Sequence, residues 1–186
     1  MNQLKIINDD ILHEFRIYKA KLGVVSNLNH GMHGKEHLLR VVLFTLLICE
    51  KLNVCHKYRE IVAVAALYHD IGRKSDNIDI VHGLLSWKRA KKYLDKDFTD
   101  NDLKIIKYII ENHCVPDEEA HNNVNFYNIY NKEVAQRLLD IVKDADSLDI
   151  IRLEYFNESF LRLEVSKKII SFAYYINELK EKINYL

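Results

Sequence analysis

His69-Asp70 is an adjacent imidazole–carboxylate pair, with His37 lying 32 residues before His69 and Asp146 lying 76 residues after Asp70. Each of the four sits in or at the end of an apolar, helix-like segment. Imidazoles and carboxylates buried together are costly unless something compensates them, and a bound cation does so. Two more histidines, His82 and His113, fall between the pair and Asp146. The chain therefore reads as a metal site assembled from several helices, and a metal site suggests chemistry.

The spacing supports this. His33 and His37 are four apart and share a helix face. Adjacent residues on a helix diverge by about 100 degrees, so His69 and Asp70 serve one ion only where a helix opens. Gly72 is expected to supply that end as a C-terminal glycine. Helical spacing puts Leu139, Val142 and Asp146 near one face, with Asp149 three further on, whereas Asp144 is expected to point to solvent. Plainer readings stand beside these. His37 alone reads as a core histidine with a satisfied hydrogen bond, and His69-Asp70 alone as a helix-end pair meeting the dipole and starting a turn. Two imidazoles with two carboxylates leave coordination positions open and suit Mn²⁺, Fe²⁺, Co²⁺, Ni²⁺ or Zn²⁺. A structural zinc site would be closed and usually contain cysteine.

The elements that must position these groups read as helices. The 186 residues include only five Gly and one Pro, which disfavours a turn-rich β fold. Apolar residues at helical spacing predict helices over 4–21, 34–52 and 57–70, then from a cap at Asp79 to Leu94, from Thr99 to about His113, over 132–153, and from a cap at Ser166 toward Ile183. Thr99 with Asp102 resembles a capping box. Residues 116–130, polar and Asn-rich, read as a long loop and a candidate lid. No segment alternates strictly, so the expected fold is an all-α, single-domain helical bundle spanning residues 1–186.

Lys+Arg and Asp+Glu are both 27, which weakens constitutive binding to nucleic acid or anionic membranes. The longest apolar run, Leu38–Cys49, is twelve residues and contains Arg40 and Thr45, too short and too polar to span a bilayer. The N-terminus has acidic and amide residues where a signal peptide needs a basic start, and three cysteines form no C-x-x-C pair. A cytoplasmic protein with buried, inert thiols is expected. His13, His30, His56 and His121 lie in polar or amphipathic contexts and are expected to be exposed.

The sequence resembles the HD-domain phosphohydrolase superfamily, with its H…HD…D metal set. His37, Arg40 and Val41 form the first motif, His69-Asp70-Ile71-Gly72-Arg73 the central one, and Ala145-Asp146-Ser147-Leu148 the last. It is further similar to a small single-domain subgroup with H-G-x-x-H-x-x-R-V (His33 to Val41), H-D-I-G-R, an H-G at His82-Gly83, and K-D-A-D-x-L-D (Lys143 to Asp149). The likeness covers residues 33 to about 163, with flanking helices at 4–21 and 166–183. It implies that His37, His69, Asp70 and Asp146 hold one ion, and that His82 and His113 match positions that hold a second in binuclear members. One or two divalent ions are expected, Mg²⁺ included. The resemblance also implies hydrolysis of a phosphate ester, with Asp70 orienting or deprotonating water and bridging if two ions bind.

Arg73 and Lys74 are candidates for the substrate phosphate, although Lys74 reads nearly as well as a solvated turn. His33 is a candidate to contact substrate or protonate the leaving oxygen. Arg40 is expected to pair with Asp149 behind His37. The expected substrate is a nucleotide or other small phosphorylated metabolite. A metal-dependent nuclease and a regulatory nucleotide-binding domain without turnover are the competing readings. No membrane or nucleic-acid partner is expected, and a homo-oligomer stays open.

Overall fold

The computed structural model describes residues 6–26, 28, 31–76, 81–94, 96–153, 155–178 and 183. The described residues form α1 (Asp9–Gly23), α2 (Lys35–Lys51), α3 (His56–Tyr68), α4 (His82–Ala90), α5 (Asp100–Asn112), α6 (Asp117–Asn123), α7 (Lys132–Asp149), α8 (Glu164–Lys167) and α9 (Ile170–Glu178), with three short 3-10 turns. No strand occurs among them, so the fold is all-α. None of the described helices is long and apolar enough to cross a membrane.

The core is organised around α2. Every residue from His37 to Cys49 is buried, so this helix has no solvent face over that stretch. A helix apolar all round must be surrounded, and α1, α3 and α7 pack on it. In α3, Ile61 to Tyr68 are likewise all buried, with α5 and α7 alongside. Burying each large aliphatic side chain is worth about 1.5–3 kcal/mol, so α2 and α3 supply a rigid centre on which the remaining helix ends are hung.

Local chemistry sets the helix limits. Asn8 Oδ1 accepts from Ile11 N–H at 2.8 Å to start α1, and Asn131 Oδ1 accepts from Val134 N–H at 3.0 Å to start α7. The capping box at Thr99 is reciprocal: Asp102 N–H donates to Thr99 Oγ1 and Thr99 N–H donates to Asp102 Oδ2. Asn53 ends α2 with φ of 51°, while Val54 N–H donates to Cys49 O and Asn53 N–H to Glu50 O. That pair of bonds is a Schellman ending with Asn in the left-handed position.

Several expectations are corrected. Gly72 is not a left-handed cap, because no described glycine has positive φ. It is required by crowding: a Cβ there would lie 2.2 Å from Ser86 N of α4, and Gly72 N–H donates to Ser86 Oγ. Gly83 plays the same part where α4 crosses α5, since its Cβ would lie 2.6 Å from Ile110 O. The segment read as a loop and lid carries α6 and a 3-10 turn. Tyr108 O–H donates to Ala120 O, Asn123 to Asn112, and Gln136 to His121 O, which fastens it to α5 and α7. Helix α7 ends at Asp149 and continues as a 3-10 turn, Ile150–Leu153. Ser166 lies inside the short α8 and does not cap the last helix, which begins at Ile170. Helix α4 stops at Ala90, and the cap expected at Asp79 lies outside the described residues, as does His30.

Asp144 is also buried, not solvated. Its carboxylate accepts from the backbone N–H groups of Arg162 and Leu163 at 2.8 and 2.9 Å, tying the chain after α7 back onto that helix. His121 is half-buried on Asp140, against the exposure expected for it. Of the cysteines only Cys49 is buried; Cys55 is exposed and Cys114 intermediate.

Candidate metal centre

Five helix ends converge on one point. His33 lies in the turn before α2, and His37 and Arg40 in that helix's first turns. His69 and Asp70 follow α3, where the backbone leaves the helix, which is why adjacent side chains can turn together. His82 opens α4, His113 ends α5, and Asp146 and Asp149 occupy the last turn of α7.

Asp70 stands in the middle, and its two oxygens face different neighbours. Oδ2 lies 2.8 Å from His33 Nδ1, 3.6 Å from His37 Nε2 and 3.8 Å from His69 Nε2. Asp146 Oδ1 completes this side, 3.5 Å from His37 Nε2 and 3.7 Å from His69 Nε2. On the other side, Oδ1 lies 3.0 Å from His82 Nε2 and 3.3 Å from His113 Nε2.

The imidazoles are aimed from behind. His69 Nδ1 donates to Ala66 O at 2.7 Å, His113 Nδ1 to Ile110 O at 2.8 Å, and His37 Nδ1 to Asp149 Oδ2 at 2.8 Å. In each ring Nε2 is left facing the centre. Asp149 is itself held by Arg40 Nε at 2.5 Å and Arg152 Nε at 2.7 Å. Burial opposes its charge, but the His37 hydrogen bond and the Arg40 guanidinium hold the carboxyl well below the usual range.

These groups fit a cation. Nε2 of His37 and His69 stand 3.2 Å apart, and Nε2 of His82 and His113 2.8 Å apart. His37 and His69 both use Nδ1 as a donor, so their facing Nε2 lone pairs require a proton or a metal between them, and the His82–His113 contact leaves room for the same. Asp70 Oδ1 and His33 Nδ1 are buried with no hydrogen bond of acceptable geometry. The proton affinities agree. Burial would lower His37, but Asp149 and Asp70 outweigh it and push its pKa up to about 9. His82 is pushed up to about 10, the pull of Asp70 and Cys114 exceeding the penalty of burial. Burial and the neighbouring imidazoles press His113 down to about 4 despite the nearby Asp70 carboxylate. Burial disfavours the Asp70 charge, yet the surrounding imidazoles of His69, His113, His33 and His37 hold its carboxyl well below the ordinary range. Asp146, likewise opposed by burial, is drawn down to about 2 by His69 and His37.

A cavity of about 260 Å³ opens beside the first side, lined in part by His33, His37, Arg73, Asp146, Arg152 and Tyr155. Arg73 Nε is 3.3 Å from Asp70 Oδ2, whereas Lys74 is exposed and does not line the cavity. No residue of 116–131 lines it either, which removes the lid reading. Sequence pattern alone gives Arg152 and Tyr155 no role, although the family likeness runs through Arg152-Leu153 and Arg152 stands i, i+3 from Asp149. A larger cavity, about 510 Å³ between α5 and the 3-10 turn after α6, shares none of these residues.

The helical fold and the clustered His and Asp side chains define a protein with groups suited to a divalent metal. A model of the HD domain family matches residues 34–151, and the chain belongs to that family. No curated protein and no solved structure matches it.

Proposed function

We propose that the protein is a metal-dependent phosphohydrolase that cleaves a phosphate ester of a nucleotide or other small phosphorylated metabolite. The observation that carries this is the placement of Asp70, shared between two groups of imidazoles, beside a cavity whose wall includes His33, His37, Asp146 and two arginines. His37, His69, Asp70 and Asp146 would hold one ion, and His82 and His113 with Asp70 a second. A divalent cation there supplies Lewis acidity, making water more acidic and offsetting charge on a phosphoryl oxygen.

The chain's own groups do the rest. Arg73 and Arg152 present guanidinium groups to the cavity, matched to the geometry of a phosphate. Asp70 accepts or orients the proton of the attacking water, being ionised and central. His33, half-buried beside Asp70 and facing the cavity, donates a proton to the leaving oxygen. Asp149, with Arg40 and Arg152, keeps His37 in the orientation that turns Nε2 inward. The cavity's volume favours a small ester over a nucleic-acid duplex, and the balanced charge of the chain agrees.

The test is phosphate release from a panel of nucleotides and sugar phosphates with Mn²⁺, Co²⁺, Ni²⁺ or Zn²⁺. Release that stops with a chelator and with the His69→Ala/Asp70→Ala double variant supports the proposal. Bound metal with no turnover on any phosphoester would point to a regulatory domain instead. Cleavage confined to DNA or RNA, steeply salt-dependent, would point to a nuclease.

A further inference from the structure

One more metal-ligating side chain stands at this centre. Cys114 follows His113 where α5 has ended, and Val115 N–H returns to Asn112 O in a turn. Off the helix, neighbouring side chains can converge instead of diverging by about 100 degrees. Cys114 Sγ and one ring nitrogen each of His82 and His113 lie within 4.8 Å of one another. Cys114 is half-buried, unlike Cys49, which is sealed in the core and whose thiol burial pushes up to about 12.

A second observation concerns the same two histidines. Asp70 Oδ1 is buried, makes no hydrogen bond of acceptable geometry, and lies 3.0 and 3.3 Å from the Nε2 atoms of His82 and His113. A carboxylate oxygen is an acceptor only, so in this position it asks for a cation. His113 contributes Nε2, because its Nδ1 is committed to Ile110 O.

We propose that Cys114 binds, through its thiolate, the cation held by His82, His113 and Asp70 Oδ1. The inference rests on the metal reading above and adds a distinction between the two halves of the centre. The first half offers nitrogen and oxygen alone. The second offers two nitrogens, one oxygen and one sulfur, a set that suits tetrahedral Zn²⁺ or Co²⁺ and disfavours Mg²⁺ and Mn²⁺. Metal binding takes the proton from the thiol, as it must for sulfur to act as a ligand. The centre is therefore built for two unlike ions, a softer one away from the cavity mouth and a harder one beside it.

Cobalt reports sulfur ligation directly. The full-length protein, stripped by chelator and kept reduced with a non-thiol phosphine, is titrated anaerobically with Co²⁺. The expected result is a near-ultraviolet sulfur-to-cobalt charge-transfer band that is lost in Cys114→Ser and kept in Cys55→Ser. In Cys114→Ser the weaker visible bands of a nitrogen/oxygen site persist. Zn²⁺ affinity at the sulfur-containing site falls in Cys114→Ser by at least the roughly 10–100-fold that losing a supporting contact costs. Cobalt bound without the band, or a band that survives in Cys114→Ser, overturns the role of Cys114 and leaves the metal centre standing. No cobalt bound at all overturns the metal reading itself. A Cys114→Ala variant with unaltered circular dichroism guards against loss of the band through misfolding.

Discussion

Asp149 shows how much of this centre is decided one side chain behind it. His37, Arg40 and Arg152 all end on its carboxylate. The Asp149→Asn variant keeps the shape and removes the charge that orders the His37 tautomer. Metal affinity is expected to fall by about 10–100-fold, read by calorimetric titration with Mn²⁺. Unchanged affinity would mean that α2 alone orients His37. Pairing of Arg40 with Asp149 was legible in the sequence, because each sits one turn from a suspected ligand on its own helix. Asp144 was misread for the opposite reason. Its helical phase is right for solvent, but the chain after α7 folds back and delivers two N–H groups to it.

At the scale of elements, close approach between helices positions the ligands. Gly72 lies two residues after Asp70 and against the α4 backbone, so a methyl group there must push the α3–α4 turn apart. Gly72→Ala is expected to cost about 3 kcal/mol in urea unfolding and to weaken metal binding, since His69, Asp70 and His82 all flank that contact. A loss below about 0.5 kcal/mol would show that the turn yields freely. Helix α5, which carries His113, is anchored at its other end by Asp102, bonded to Thr99 N–H and 2.6 Å from Lys57. Burial works against the Asp102 charge, but Lys57 and Thr99 lower its pKa below 3.8. A carboxyl with a depressed folded pKa contributes stability above the unfolded value, and that stability is lost as pH falls through the folded one. Thermal unfolding of Asp102→Asn should therefore differ from wild type at pH 6 and converge with it near pH 2. A gap independent of pH would sink this account.

For the molecule as a whole, the candidate ligands come from α2, α3, α4, α5 and α7 or the turns at their ends, so a metal bound as proposed would act as a fastener across the bundle. At a free concentration near 100 times its Kd, one ion stabilises by about 2.7 kcal/mol. The melting temperature is expected to rise with Mn²⁺ or Zn²⁺, return with chelator, and stay fixed in His69→Ala/Asp70→Ala. An equal rise in that variant would place the binding elsewhere. The chain itself carried the helical class, most helix cores, the capping box at Thr99 and the order of the H…HD…D residues. These rest on periodicity, on glycine and proline scarcity and on local hydrogen bonds, all of which act within a few residues. What only the tertiary structure decided was that Asp70 divides its two oxygens between two imidazole groups, that Cys114 stands beside His82, that Arg152 reaches the cavity, and that residues 117–126 are helical and lie outside its wall. Each of those depends on contacts between segments distant in sequence, where the crossing of packed helices and not the local pattern sets which atoms meet.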